Sequence, residues 1–236
     1  MNQTVHTPAL DARLSTAFDF VRPGASVADI GTDHAYLPAA LILQGRVRHA
    51  IAADINAGPL AKAAETVDKY GLRNQIDLCL TDGLHGLEGK DITDVLIFGM
   101  GGELIAKILE EAPFVRDPAI RLILQPMTKQ AELRQWLSQE GFDILDERLS
   151  SAAGKTYQTI CAEWRGKPYG MSALELELGP CILEKRPAEL MPLVKHKVDV
   201  LRAKIKGQQC AGAADREDLR MLSAMEMLLG ELTEGR

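Results

Sequence analysis

Short apolar runs alternate with amphipathic segments along the first two thirds of the chain. Leu10, Leu14, Ala17, Phe18 and Val21 recur at helical spacing, which predicts a single helix over Pro8–Val21. After the turn Arg22-Pro23-Gly24, an apolar strand ends in Asp29, and a short helix over Pro38–Gln44 follows, closed by Gly45. His49–Asp54 reads as a second strand. The next helix is capped by Asn56, carries Pro59 in its first turn and stops at Gly71. Ile76–Leu80, Asp94–Phe98 and Ile120–Leu124 read as further strands, with helices over Glu103–Glu111 and from a Thr128 cap to Gly141. Trp136 on the latter helix reads as core packing. Phe142–Leu149 and Lys155–Trp164 read as an antiparallel pair joined across 150–154. This order predicts an α/β fold with a mostly parallel sheet finished by antiparallel strands.

Past Gly166 the pattern changes. No strand signal appears, and Pro180 and Pro187 suggest a linker. Leu190, Val194, Val198, Leu201 and Ile205 then recur at spacings of 4, 4, 3 and 4, and Leu219, Leu222, Met225, Leu229 and Leu232 do the same beyond a turn containing Gly212. Two such helices predict an antiparallel coiled-coil hairpin.

Charge refines this division. The net charge of −6 argues against a nucleic-acid binder when averaged over 236 residues. From Lys167 onward, however, Lys/Arg and Asp/Glu balance at 11 each, leaving 16 against 22 in the rest. Within 185–206 the balance is positive, with Lys195, Lys197 and Lys204 on the first hairpin helix, so RNA contact and a merely solvated face both stay open there. Four widely spaced cysteines without a CxxC pair exclude a zinc-ribbon or disulfide framework and suit a reducing compartment. No apolar run approaches ~18 residues, so a cytoplasmic protein without membrane or metal partners is expected.

The candidate chemistry centres on Asp29-Ile30-Gly31-Thr32-Asp33-His34-Ala35-Tyr36-Leu37-Pro38. An apolar strand entering a glycine turn and then a helix is how doubly wound domains receive a cofactor. Asp33 and Tyr36 replace the glycines of a dinucleotide loop, which disfavours a pyrophosphate and favours a ligand bearing an ammonium or sulfonium. Asp54, 23 residues after Gly31, suits a carboxylate accepting from ribose hydroxyls. Asp82 could accept from an adenine amine or form an Asx turn. Gly99-Met100-Gly101-Gly102 reads as a glycine-rich turn that admits a flat ligand. Tyr36 is a stacking platform or buried helix packing. Lys129 and Arg134 read as lying on the exposed side, as nucleic-acid contacts or idle, and Arg13 reads as a solvated arginine with a phosphate contact as the alternative.

Together with Asn56-Ala57-Gly58-Pro59-Leu60, Asp82-Gly83-Leu84 and Leu124-Gln125-Pro126, these segments resemble the bacterial tRNA (adenine-22-N1)-methyltransferase family. The likeness spans the chain; Met127, where asparagine is more usual, and Ala152-Ala153 are departures from it. The resemblance implies a Rossmann-like class I methyltransferase domain over 1–166, with a seven-stranded, mostly parallel sheet, and a C-terminal helical coiled-coil domain over 167–236. It implies S-adenosyl-L-methionine as cofactor, held by Asp29, Gly31, Asp54, Ile55, Asp82, Gly83, Gly99, Met100 and Gly101. The substrate would be tRNA, met by Tyr36, Gly102, Gln125, Pro126, Lys129, Lys195, Lys197 and Lys204, with Asp33 and His34 catalytic and the protein a monomer or weak dimer. Two other readings remain: a catalytically inactive cofactor- and RNA-binding module, and a methyltransferase for another RNA base. A nicotinamide oxidoreductase is disfavoured by the missing glycines.

Overall fold

The computed structural model describes residues 7–152, 154–210 and 213–234. By contacts the chain forms two compact units, Met1–Tyr169 and Gly170–Arg236. The first boundary falls just past the sheet because Tyr169 stays with it: its amide donates to the Ser138 carbonyl at 3.1 Å and its hydroxyl to the Phe142 carbonyl at 3.2 Å.

In the first unit seven strands form one sheet: β1 (Ala25–Ile30), β2 (Val47–Asp54), β3 (Ile76–Leu80), β4 (Asp94–Gly101), β5 (Arg121–Thr128), β6 (Phe142–Ala152) and β7 (Lys155–Trp164). Their order is β3-β2-β1-β4-β5-β7-β6. β1 to β5 are parallel, and β7 runs antiparallel between β5 and β6. The central strands are buried on both sides, which is why they read as continuous apolar runs. Successive residues serve opposite faces: Val27 joins one core cluster, while Ala28 and Ile30 join the other. Burying each large aliphatic side chain in these layers contributes about 1.5–3 kcal/mol.

The helices of this unit are α1 (Ala12–Ser15), α2 (Ala17–Phe20), α3 (Tyr36–Leu43), α4 (Ala57–Lys69), α5 (Gly102–Glu110) and α6 (Gln130–Gln139), with a 3-10 turn over Pro113–Arg116. Several differ from the sequence expectation. The single N-terminal helix is two short ones, because Asp11 caps the first and the Thr16 hydroxyl turns back to the Arg13 carbonyl and pairs with Thr159. The glycine-rich segment after Phe98 is not an open turn. β4 continues through Gly101 and stays paired with β5, its register shifting around Met100. Thr128 is likewise strand, and Lys129, in the left-handed region at φ 60°, occupies the cap position of α6 without a side-chain cap bond. Trp136 packs on Phe142 with ring centroids 5.7 Å apart, as expected of core. Arg134, expected on the exposed side, is instead fully buried, because it donates to Glu147 at 2.7 Å and Gln158 at 2.5 Å and so ties α6 to the antiparallel pair.

In the second unit the expected linker is helical: α7 (Ala173–Leu178) begins with a Ser172/Glu175 capping box, and α8 (Pro180–Lys185) starts on Pro180. α9 (Leu190–Cys210) and α10 (Arg216–Glu234) form the hairpin. Arg202 meets Glu226 at 2.7 Å and Lys204 meets Asp218 at 2.8 Å, pairings that run in opposite directions along the two helices. Leu190, Val194, Val198, Ile205 and Met225 are buried as the spacing requires, whereas Leu219 is 42 % exposed. Gly212 and Ala153 lie outside the described residues. No described helix is long and apolar enough to cross a membrane.

Candidate active site

β1 enters the site through Gly31, whose φ of 75° suits glycine and whose missing Cβ leaves room for the Met100 side chain. The amides of Gly31 and Thr32 both donate to the Ala53 carbonyl, locking the loop onto β2. Beyond it Ala35 adopts a left-handed conformation at φ 52°, which turns the chain sharply into α3. The loop and the β4 terminus enclose a cavity of about 320 Å³, whose walls include Asp29, Gly31, Thr32, Asp33, His34, Tyr36, Phe98, Gly99 and Arg13.

Asp29 is the deep acid. Burial pushes its carboxyl up to about 6 against a hydrogen bond from Thr32, and the neighbouring Asp54 charge pushes the same way. An ionised Asp29 therefore calls for a cation. Asp54 is also buried, with one carboxylate oxygen accepting from the Asn56 amide at 2.7 Å. That bond engages one of its two carboxylate oxygens. Ile55, next to it, is exposed.

The rim is polar and aromatic. His34 Nε2 lies 3.5 Å from the largely exposed Asp33 carboxylate. Its ring stacks on Tyr36, with centroids 5.0 Å apart and planes 6° from parallel. Tyr36 is 43 % exposed, which overturns the buried-packing alternative; Ala35, Leu37 and Pro38 take the buried positions around it.

Asp54, Ile55 and the remaining expected residues fall outside this cavity's wall. Asp82 and Gly83 follow β3 at the same sheet edge. No hydrogen bond of the Asp82 carboxylate to local backbone occurs among the described residues, so the Asx turn does not form. Gly83 packs on Ile108, Met100 covers Gly31, and a Cβ on Gly101 would touch Thr128. Gly102 is buried where a Cβ would overlap the Lys129 carbonyl, so its evident role is packing. Gln125 is fully buried and accepts from Arg13 at 3.0 Å while donating to the Pro126 carbonyl at 2.9 Å. Lys129 is exposed and paired with Glu132 at 2.7 Å. On the helical unit Lys197 pairs with Glu177 and Lys204 with Asp218, while Lys195 is exposed. No group of three His, Cys, Asp or Glu that could hold a metal occurs among the described residues.

Arg13, Thr32 and Phe98 were not singled out as site residues by the sequence. Thr32 carried a signal, a hydroxyl directly after the loop glycine. Arg13 was read as solvated with a phosphate contact as the alternative, and its place in the site was not legible because its partner Gln125 is 112 positions away.

A cavity at the β1–β4 switch point lies where open α/β sheets bind their ligands. Residues 10–160 match the methyltransferase-domain family. The tRNA (adenine(22)-N(1))-methyltransferase of Bacillus subtilis is 34% identical over 212 residues, covering 88% of each chain. The crystal structure of the B. subtilis m1A22 tRNA methyltransferase TrmK has a TM-score of 0.79 at 31% identity, over 96% of this chain and 98% of that one. Streptococcus pneumoniae Sp1610 in complex with S-adenosyl-L-methionine has a TM-score of 0.84 at 31% identity, over 94% and 100%. With its sheet order, its acid-lined cavity and these relatives in agreement, the chain belongs to the tRNA (adenine-22-N1)-methyltransferase family.

Proposed function

We propose that this protein transfers a methyl group from S-adenosyl-L-methionine to N1 of adenine 22 in tRNA, acting in the cytoplasm as a monomer or weak dimer. The observation that carries the reading is one cavity with a buried acid at its base and an acid, an imidazole and an exposed phenol ring at its rim. The donor set suits the cofactor. Asp29 meets the methionine ammonium, and Asp54 and Asp82 accept from the ribose and the adenine amine. When bound, the cofactor supplies a methyl on a sulfonium, whose carbon–sulfur bond breaks as the bond to adenine N1 forms.

Adenine N1 attacks with its own lone pair, so no side chain forms a covalent link. What the chain must supply is alignment and charge stabilisation. A stacked adenine has to leave the tRNA helix to reach the cavity, and Tyr36, presented flat by its stack on His34, receives the extruded base. As the methyl transfers, positive charge grows on the ring. The Asp33 carboxylate accepts from the N6 amine and stabilises that charge, with His34 orienting it.

The test is methyl transfer from labelled cofactor to a tRNA transcript, followed by nucleoside analysis. N1-methyladenosine is expected, and it should vanish when adenine 22 is replaced by guanine. Asp33→Asn should bind cofactor normally and lose about 10²–10⁴ in kcat. Methylation of another base overturns the substrate assignment, and a near-wild-type rate for Asp33→Asn removes its catalytic role.

A further inference from the structure

Arg13 lies on α1, far in sequence from the rest of the site, yet its guanidinium is built into the cavity wall. One nitrogen donates to Gln125 Oε1 at 3.0 Å, the group stands 6.0 Å from the Tyr157 ring centre, and a Cβ on Gly99 would lie 3.5 Å from that nitrogen. Gln125, for its part, is fully buried and spends its amide nitrogen on the Pro126 carbonyl. With both ends of its amide engaged, Gln125 holds Arg13 rather than a substrate. Arg13 is 20 % exposed, and its one carboxylate neighbour among the described residues is the half-exposed Asp11 at 3.6 Å. A guanidinium has five N–H donors, and most of these are not committed to a short bond here.

We propose that Arg13, oriented by Gln125, binds a backbone phosphate flanking the extruded adenosine. The sheet order favours phosphate over the cofactor's carboxylate. Asp29, Asp54 and Asp82 stand at the ends of β1, β2 and β3, so the cofactor covers that half of the edge. Arg13 instead abuts the ends of β4 and β5, at Gly99 and Gln125, on the half left to the RNA. A planar fork suits a phosphate, and a guanidinium fixed beforehand binds it with less loss of side-chain freedom.

The inference rests on the tRNA reading above, and its test separates the two. Arg13→Ala in the full chain should raise KM for tRNA about tenfold or more, with cofactor affinity by calorimetry unchanged and the melting temperature lowered only by the loss of the bond to the buried Gln125 amide. Gln125→Leu should raise KM in the same direction by a smaller factor, since Arg13 is then present but unheld. In a tRNA carrying an uncharged methylphosphonate next to adenosine 22, the wild-type protein should lose affinity while Arg13→Ala loses little more. If Arg13→Ala instead weakens cofactor binding, the arginine serves the carboxylate and the proposal fails. It fails equally if the methylphosphonate penalty is the same for both proteins. Wild-type protein that forms no N1-methyladenosine at all would refute the tRNA reading itself.

Discussion

At the scale of single residues, Asp29 is the group whose state the fold most strongly constrains. Desolvation raises its carboxyl to about 6, so the folded ligand-free protein holds a proton there that the unfolded chain, near 3.8, has released. Its contribution to stability is therefore full below pH 3.8 and is lost as pH rises through 6, a difference of about 3 kcal/mol. A cationic ligand beside the ionised carboxylate offsets that loss. Cofactor affinity measured by calorimetry from pH 4.5 to 8 should be flat above pH 6 and weaken about tenfold per unit below it. Asp29→Asn should abolish this dependence, bind cofactor weakly at every pH, and melt higher than wild type at pH 8 without ligand. A flat profile in the wild type would show that Asp29 does not face the ammonium.

Among the elements, the parallel strands and the hairpin helices were legible because each satisfies one periodicity with one buried face. β1, β3 and α9 follow directly from their apolar spacing. The misread segments are those where tertiary pairing outweighs local preference. Gly99 to Gly101 read as a turn by residue type, yet pairing of Met100 and Gly101 with β5 keeps the segment in strand. Thr128 reads as a cap until the same pairing claims it. The acids at the strand ends were legible as neighbours because chain order fixes them at one sheet edge. The Arg13–Gln125 contact was not, because only the closed sheet brings its ends together. Packing between elements also explains Gly102, where α5 passes so close to the Lys129 carbonyl that no side chain fits. Gly102→Ala should destabilise the protein by about 1–3 kcal/mol in urea unfolding, since backbone rather than a flexible side chain must yield. An unchanged midpoint would mean that the two segments separate without cost.

On the scale of the whole molecule, a net negative protein must engage a polyanion through local positive charge. The first hairpin helix is rich in lysine and arginine, but much of that charge is already spent: Lys197 and Lys204 are paired with Glu177 and Asp218. Lys195 is exposed and is the better candidate for a phosphate contact. Lys195→Glu should weaken tRNA binding and reduce its logarithmic salt slope by about one or more, with cofactor affinity unchanged. Lys204→Glu should lower the melting temperature of the hairpin, because it sets like charges together at Asp218. A salt slope untouched by Lys195→Glu would assign the helix a structural role.

The placement of β7 between β5 and β6 fixes the order in which the sheet can close. On the ribosome β5 emerges well before the strand that covers its free edge, and β6 emerges before the neighbour that joins it to the sheet. Until Trp164 has been made, the nascent chain presents an unpaired β5 edge beside the completed parallel strands. The final pairing runs from Arg121 to Leu124 and stops one residue short of Gln125, so the last interior strand to be synthesised covers β5 right up to the residue that holds Arg13.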